Sequence, residues 1–253
     1  MRFPHSIFVV LMILLSACSS TNRMLKAHPA QLSPFFEQPA LAQDAAAQLG
    51  FQKVWTTPDP KVLAAGKAKR KLFIAPVTLR YLRPLSRGLA SSEVAWGGVQ
   101  RREADVAARL REEFVAAFRH SSTPLYRLAD RPGKDTLTLQ LAIIELNPTS
   151  PKGNAVVTVL KFVATPMMGF AAYLTKGNMA IEGKVTDSIT HRPFFQFADN
   201  ESDQLTFISL RDYQPYGHAV NTMRHWARQF EQMTRSPRGL KVRDSNSITL
   251  RPN

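Results

Sequence analysis

From Asp135 to Leu146 the chain alternates. Leu137, Leu139, Leu141 and Ile143 fall on one side, and Thr136, Thr138 and Gln140 on the other. A period of two predicts a strand. Toward its end Ala142 and Ile144 make the second side apolar as well. The same alternation returns between Asn178 and Asp187, with Met179, Ile181 and Val185 set against Glu182, Lys184 and Thr186. The turn-rich link Asp187-Ser-Ile-Thr-His191 and the run Phe194, Phe195 and Phe197 follow, so a hairpin closing at Asp199 is predicted. Lys71-Leu-Phe-Ile-Ala-Pro-Val77 reads as a short first strand, with Pro76 near its end.

Two stretches switch to the helical period. Between Arg101 and Arg119, Val106, Leu110, Phe114, Ala117 and Phe118 form one apolar stripe. Asp105, Arg109 and Glu113 lie four apart on its flank and predict weak ion pairs. Between His218 and Met233 the stripe is Val220, Met223, Trp226, Ala227, Phe230 and Met233. Phe51-Gln-Lys-Val-Trp55 with Pro58-Asp-Pro60 reads as an ordered arm and a turn, and Tyr126-Arg-Leu128 as the approach to the turn Arg131-Pro-Gly-Lys134. Residues 155–174 are almost as long and apolar as a bilayer span. They carry Lys161 mid-run and Pro166 before Met167-Met168-Gly169, which argues for a buried strand with a short packed helix or loop. A membrane-touching or partner-binding loop is the alternative.

The pattern at the start of the chain changes the picture from fold to location. Arg2 precedes the apolar run Ile7 to Leu15, and Leu15-Ser16-Ala17-Cys18 follows. Nine apolar residues at ~1.5 Å each cannot cross a hydrocarbon core of ~30 Å, so the stretch reads as an export signal. Cleavage after Ala17 by an ordinary signal peptidase would place bulky Leu15 at minus-three. The four residues instead match a bacterial lipobox, Leu-[small]-[Ala/Gly]-Cys. Cys18, the single cysteine, is therefore expected to carry lipid after residues 1–17 are removed. Two or more acyl chains make a stable anchor, at about 0.8 kcal/mol per buried methylene. Ser19, where Asp would signal inner-membrane retention, leans the expectation toward the outer membrane with the domain in the periplasm. Residues 18–50, with Pro29, Pro34 and Pro39, read as a flexible linker in which Phe35-Phe36 would dock back.

Composition adds two constraints. Removing 17 of the 253 residues leaves 236, enough for one domain, expected at 51–235, with a basic tail at 236–253 that has room for a short final strand through Leu240 or Ile248. Thirty-three Lys and Arg against nineteen Asp and Glu give a net charge of +14. For an exported chain the polyanions to meet are lipid headgroups and acidic wall polymers, not nucleic acid. Lys61, Lys67, Lys69, Arg70, Lys71, Arg80, Arg83 and Arg87 form an acid-free collar about the first strand; facing anionic lipid is one reading, and solvated edge protection is the plainer one.

Catalytic and metal-binding patterns are absent: there is no Gly-x-Ser-x-Gly, no His-Glu-x-x-His, no phosphate-cradling glycine loop and no cysteine pair. His218 and His225, seven apart, would sketch an acid–base or metal site with Asp212, but nothing fixes a third ligand, and exposed helix histidines are the plainer reading. Asp187 and Asp199 flank the hairpin, where Asp commonly bonds its own backbone, and Glu182 with Asp199 reads as an exposed strand pair. No cofactor, metal or catalytic residue is expected.

Several phrases, by their order and spacing, resemble a family of bacterial lipoproteins catalogued as domain of unknown function 3313. They are the lipobox, Phe73-Ile-Ala-Pro-Val77, Arg131-Pro-Gly-Lys-Asp-Thr-Leu137 running into Leu146-Asn-Pro-Thr149, Ile181-Glu-Gly183, Phe197-Ala-Asp199, Tyr216-Gly-His218 and Trp226-Ala227. The likeness covers most of residues 30–233, and His191 stands where such turns commonly have Gly. The resemblance implies a location and a fold but no activity. The expected fold is α+β, a mixed sheet of four to five strands with two amphipathic helices on one face. The leading functional expectation is a membrane-anchored, non-enzymatic envelope lipoprotein that binds an envelope protein, anionic lipid or cell-wall partner. An oligomeric, channel-forming lipoprotein using 155–174 and an envelope hydrolase are the alternatives.

Overall fold

The computed structural model describes residues 29–84, 99–147, 178–202, 205–206, 219–236, 242 and 248–249. Alternation in the sequence becomes a single mixed sheet. Its strands are β1 (Gln43–Asp44), β2 (Lys53–Thr56), β3 (Lys71–Ile74), β4 (Arg127–Ala129), β5 (Thr136–Asn147), β6 (Asn178–Asp187) and β7 (Pro193–Ser202), in the order β1-β2-β7-β6-β5-β3-β4. β3 runs parallel to β5 and to β4; the other neighbours are antiparallel. A separate parallel pair joins β8 (Leu205–Thr206) to β9 (Ile248–Thr249). The final strand expected near Ile248 thus exists, and Val242 beside it is buried and donates to the Gln48 carbonyl at 2.9 Å.

The α+β class holds. The count of strands does not: among the described residues the sheet has seven, not four or five, and four α-helices accompany it, not two. The additions are short. β2 comes from the arm at 51–55 and β4 from the approach to the 131–134 turn. Helix α1 is one turn, Ala46–Leu49, ended by Gly50 at φ 79. Helix α2, Pro60–Ala68, lies within the basic collar and begins where Asp59 accepts from the amides of Lys61 (2.8 Å) and Val62 (3.4 Å), with Pro60 in the first turn.

The two long helices match their predicted stripes. Helix α3 is Val99–Arg119 and helix α4 is Ala219–Arg235. Leu110, Phe114 and Phe118 of α3 and Met223, Trp226 and Phe230 of α4 are buried against Leu137, Leu139, Leu141, Ile143, Ile181, Val185 and Phe197 of the sheet. The ring of Phe197 stands 4.4 Å from Phe51 and 5.3 Å from Phe230, and lies over Gly183, its register partner on β6. A Cβ on Gly183 would come within 2.1 Å of that ring, so the absence of a side chain there makes room for the aromatic centre.

The other face of the sheet is covered too. Residues 29–42 lie across it as a strap. Phe35 packs on Ala142, Ile144 and Ala180, and Phe36 on Trp55 and Ala198. The segment read as the far part of a flexible linker is therefore held down from Pro29 onward. A bulge after Ile143 of β5 puts Ile144 and Glu145 on the strap side together. The small residues Ala142, Ala180 and Ala198 leave the depth that two phenylalanine rings fill.

Candidate functional site

Four features are candidates for function: the anchor of the strap, the seam between the long helices, the β6–β7 turn, and the residues that lie outside the described segments.

The strap is fastened at Ser33. Its amide donates to Glu182 Oε1 at 2.7 Å and its hydroxyl to Glu182 Oε2 at 2.6 Å, while the Phe35 amide donates to the same hydroxyl at 3.1 Å. Glu182 was expected on an exposed strand face; it is 2% exposed because the strap covers it. Burial pushes its carboxyl above the ordinary value, against the bonds from Ser33 and the charge of Arg83. Lys184, two residues along β6, pairs with Glu37 at 2.6 Å and sits 4.7 Å from the centre of the Phe35 ring. The Glu37 amide donates to Gln196 Oε1 at 2.9 Å. Arg83 ties Glu145 to the carbonyl of Gln31. Ser33, Glu37, Lys184 and Gln196 carried no signal of this role in the sequence; the Phe35-Phe36 pair in a polar segment was the available clue.

Asp199 is buried as well, but on the helix side. Its Oδ2 accepts the indole N–H of Trp226 at 2.6 Å, and its Oδ1 accepts the amide of Gln52 at 3.2 Å. Asp199 is opposite Ile181, and Glu182 opposite Ala198, so the two carboxylates point to opposite faces. They do not form the exposed pair that the spacing suggested, and they cannot share a proton.

Helices α3 and α4 run parallel: Glu113 meets Arg224 near one end and Ser121 meets Glu231 near the other. Both C-termini therefore lie at one end of the domain. The seam between the helices opens to a groove of about 370 Å³ floored by Ala116 and Ala117. Two carboxylates buried there consume most of the nearby cations. Glu113 accepts from Arg109 at 2.7 Å and Arg224 at 3.3 Å, and Glu231 from Arg235 at 3.0 Å and Ser121 at 2.6 Å. Of the two pairs expected on this flank, Arg109 with Glu113 forms; in place of Asp105, the second partner of Arg109 is Glu112. The groove holds the helices in register by charge as well as by packing.

His225 lies on the exposed side of α4. Partial burial, then Arg228 and Arg224, hold its imidazole below the ordinary histidine value. His218 and Asp212, its proposed partners, lie outside the described residues. So do Cys18 and 155–174. Among the described residues no three His, Cys, Asp or Glu side chains gather as a metal site would require, and no helix is long and apolar enough to cross a membrane.

At the β6–β7 turn, Asp187 behaves as its position suggested. Its Oδ1 accepts from the amides of Ile189 (2.9 Å) and Thr190 (2.8 Å), and its Oδ2 pairs with Lys69 at 2.7 Å. Desolvation acts to raise its pKa, but the bonds from Lys69, Thr190 and Ile189 outweigh it and lower the value to about 2. His191 takes φ 57, the left-handed conformation that favours glycine.

These features define an α+β domain whose seven-stranded sheet is covered by helices on one face and by a docked N-terminal strap on the other. The chain belongs to the family described as protein of unknown function (DUF3313), whose model matches residues 32–230. No curated protein matches. Among solved structures, the PelC dodecamer from Paraburkholderia phytofirmans is similar at 10% identity over 70% of this chain and 96% of that one, with a TM-score of 0.33. A single-residue variant of the same dodecamer gives 8%, 70%, 95% and 0.34.

Proposed function

We propose that this protein is a membrane-anchored envelope lipoprotein, acylated at Cys18, whose folded domain has a non-enzymatic binding or structural role. The docked strap carries the reading. Because Ser33, Phe35 and Phe36 fix the chain to the sheet from Pro29 onward, ten residues separate the proposed lipid from rigid structure. A loose linker of thirty residues would let the domain wander; ten extended residues reach at most ~36 Å. The strap thus converts a lipid attachment into a placed domain. Its partner is an envelope protein, an anionic lipid surface or a wall polymer, and the lean is to the outer membrane with the domain in the periplasm. Lys and Arg outnumber acids by fourteen, which suits an anionic partner.

The test is fractionation with mass spectrometry. Wild-type protein should partition with membranes and yield an N-terminal fragment that begins at Cys18 and carries acyl chains. Cys18→Ala should accumulate unprocessed and unacylated. An unmodified Cys18 in the wild-type chain would sink the proposal.

A further inference from the structure

The two ends of the sheet differ in how their cations are spent. At the end where the strap enters, Pro29 and Ala30 lie beside Lys53, Ile144 and Ala180. There Lys53 pairs with Asp44 and Arg83 with Glu145. At the far end β3, β4 and β5 begin, β6 turns into β7, and α2 crosses from β2 to β3. The carboxylates of that end are fewer than its cations: Asp59 caps α2, Asp135 accepts the Arg70 amide, Asp187 holds Lys69, and Asp130 is exposed next to Arg131. Lys67, Lys71, Arg127, Arg131, Lys134 and Arg192 are exposed there, and none has a carboxylate partner among the described residues. Lys71 and Arg127 are direct register partners on adjacent parallel strands. Like charges side by side on neighbouring strands repel, and neither of these two side chains forms an ion pair among the described residues.

We infer that this far end is a docking surface for a linear acidic polymer, a glycan bearing carboxylates. The inference rests on the proposed tethering for its setting. It goes further by naming the surface and the ligand. Six uncommitted cations spread over three strand starts, the β6–β7 turn and α2 suit a chain of spaced charges better than one small anion. The tether favours a polymer over the anchoring membrane. Ten extended residues reach at most ~36 Å, while the twelve residues of β5 alone are ~40 Å long. With the strap docked, the cationic end points away from the lipid.

The experiment uses the full chain in neutral detergent micelles and fluorescently labelled polygalacturonate, read by anisotropy. Wild type should bind, and lose affinity by ~10-fold or more between about 50 and about 200 mM salt. Arg131→Glu with Lys134→Glu should weaken binding ~10-fold or more, and Lys53→Glu with Arg80→Glu, which removes the same charge from the entry end, less than ~3-fold. Ile189→Asn, at the 56% exposed tip of the far-end turn, removes an apolar side chain without changing charge and should leave polymer binding within ~2-fold. Equal losses from the two double variants would overturn the inference. So would sedimentation with anionic phospholipid vesicles that exceeds polymer binding and is abolished by Ile189→Asn, the signature of a membrane surface. Cys18→Ala should keep polymer binding, so failure of the lipid reading and failure of this one are separable.

Discussion

The indole nitrogen of Trp226 donates to Asp199 at 2.6 Å inside the domain, and this bond ties helix α4 to strand β7. Both residues are buried, Trp226 at 0% and Asp199 at 4%. Asp199→Ala removes the acceptor and leaves a buried N–H without it. The expected loss is ~1–3 kcal/mol, seen as a lower urea midpoint at unchanged slope. Asp199→Asn, which keeps an acceptor oxygen, should lose less. Equal losses would show that the hydrogen bond is not what the position contributes.

Gly183 and Phe197 make a second coupled pair. Gly183→Ala drives a methyl group into the Phe197 ring and should cost ~1–3 kcal/mol or more. Adding Phe197→Leu should restore part of that loss, so that the double variant is more stable than the sum of the singles. Strict additivity in thermal or urea unfolding would contradict the packing described.

Glu182 couples the strap to acidity. Its folded carboxyl sits above 4.5, so the folded state holds the proton more tightly than the unfolded chain. Its stability contribution is therefore present below the ordinary Glu value and is lost as pH rises through the folded one. Glu182→Gln keeps an oxygen to accept the Ser33 amide, reverses the second contact so that its NH2 donates to the Ser33 hydroxyl, and removes the ionisable group. It should unfold within ~1 kcal/mol of wild type at neutral pH, with a flatter pH profile from pH ~4.5 upward. Glu182→Ala strands the Ser33 donors and should cost ~1–3 kcal/mol. Faster proteolysis in the strap of the Ala variant, but not of the Gln variant, is the accompanying readout. Cleavage of the two at the same rate would refute the latch.

Asp187 has the opposite sign. Its carboxyl is lowered from 3.8 to about 2, so its contribution is present above the unfolded value and is lost as pH falls through about 2. Between pH ~4 and ~2, Asp187→Asn should flatten the loss of stability that wild type shows. Lys69→Met should move that loss to higher pH. An Asn variant with the same acid profile as wild type would remove Asp187 from the account.

Long, strongly periodic segments were legible from sequence. β5, β6, α3 and α4 expose a repeated apolar stripe, and burial on that stripe is what fixes them. The short elements were not. β2 and β4 have four and three residues, too few for a period to show, and they exist because longer neighbours offer them an edge. Helix α2 hid among lysines, although Asp59-Pro60 before it is a start signal. Glu182 failed for a different reason. On its own strand it reads as solvent-facing, and only the strap, 149 residues earlier, takes water away from it. Pairings across that distance leave no local trace. His225 was visible as a helix histidine, and the predicted exposure is what the structure has.

The same separation has a consequence for how the molecule comes to its final state. Ser33 lies ahead of every strand of the sheet, yet its partner belongs to the sixth, and Phe35 needs β5 and β6 side by side before it has a surface to rest on. Closing a contact over 149 residues is slow compared with forming a hairpin. Of the described segments the strap comes first in the chain, yet its resting surface exists only where β5 and β6 are already paired, so its docking reports a completed sheet.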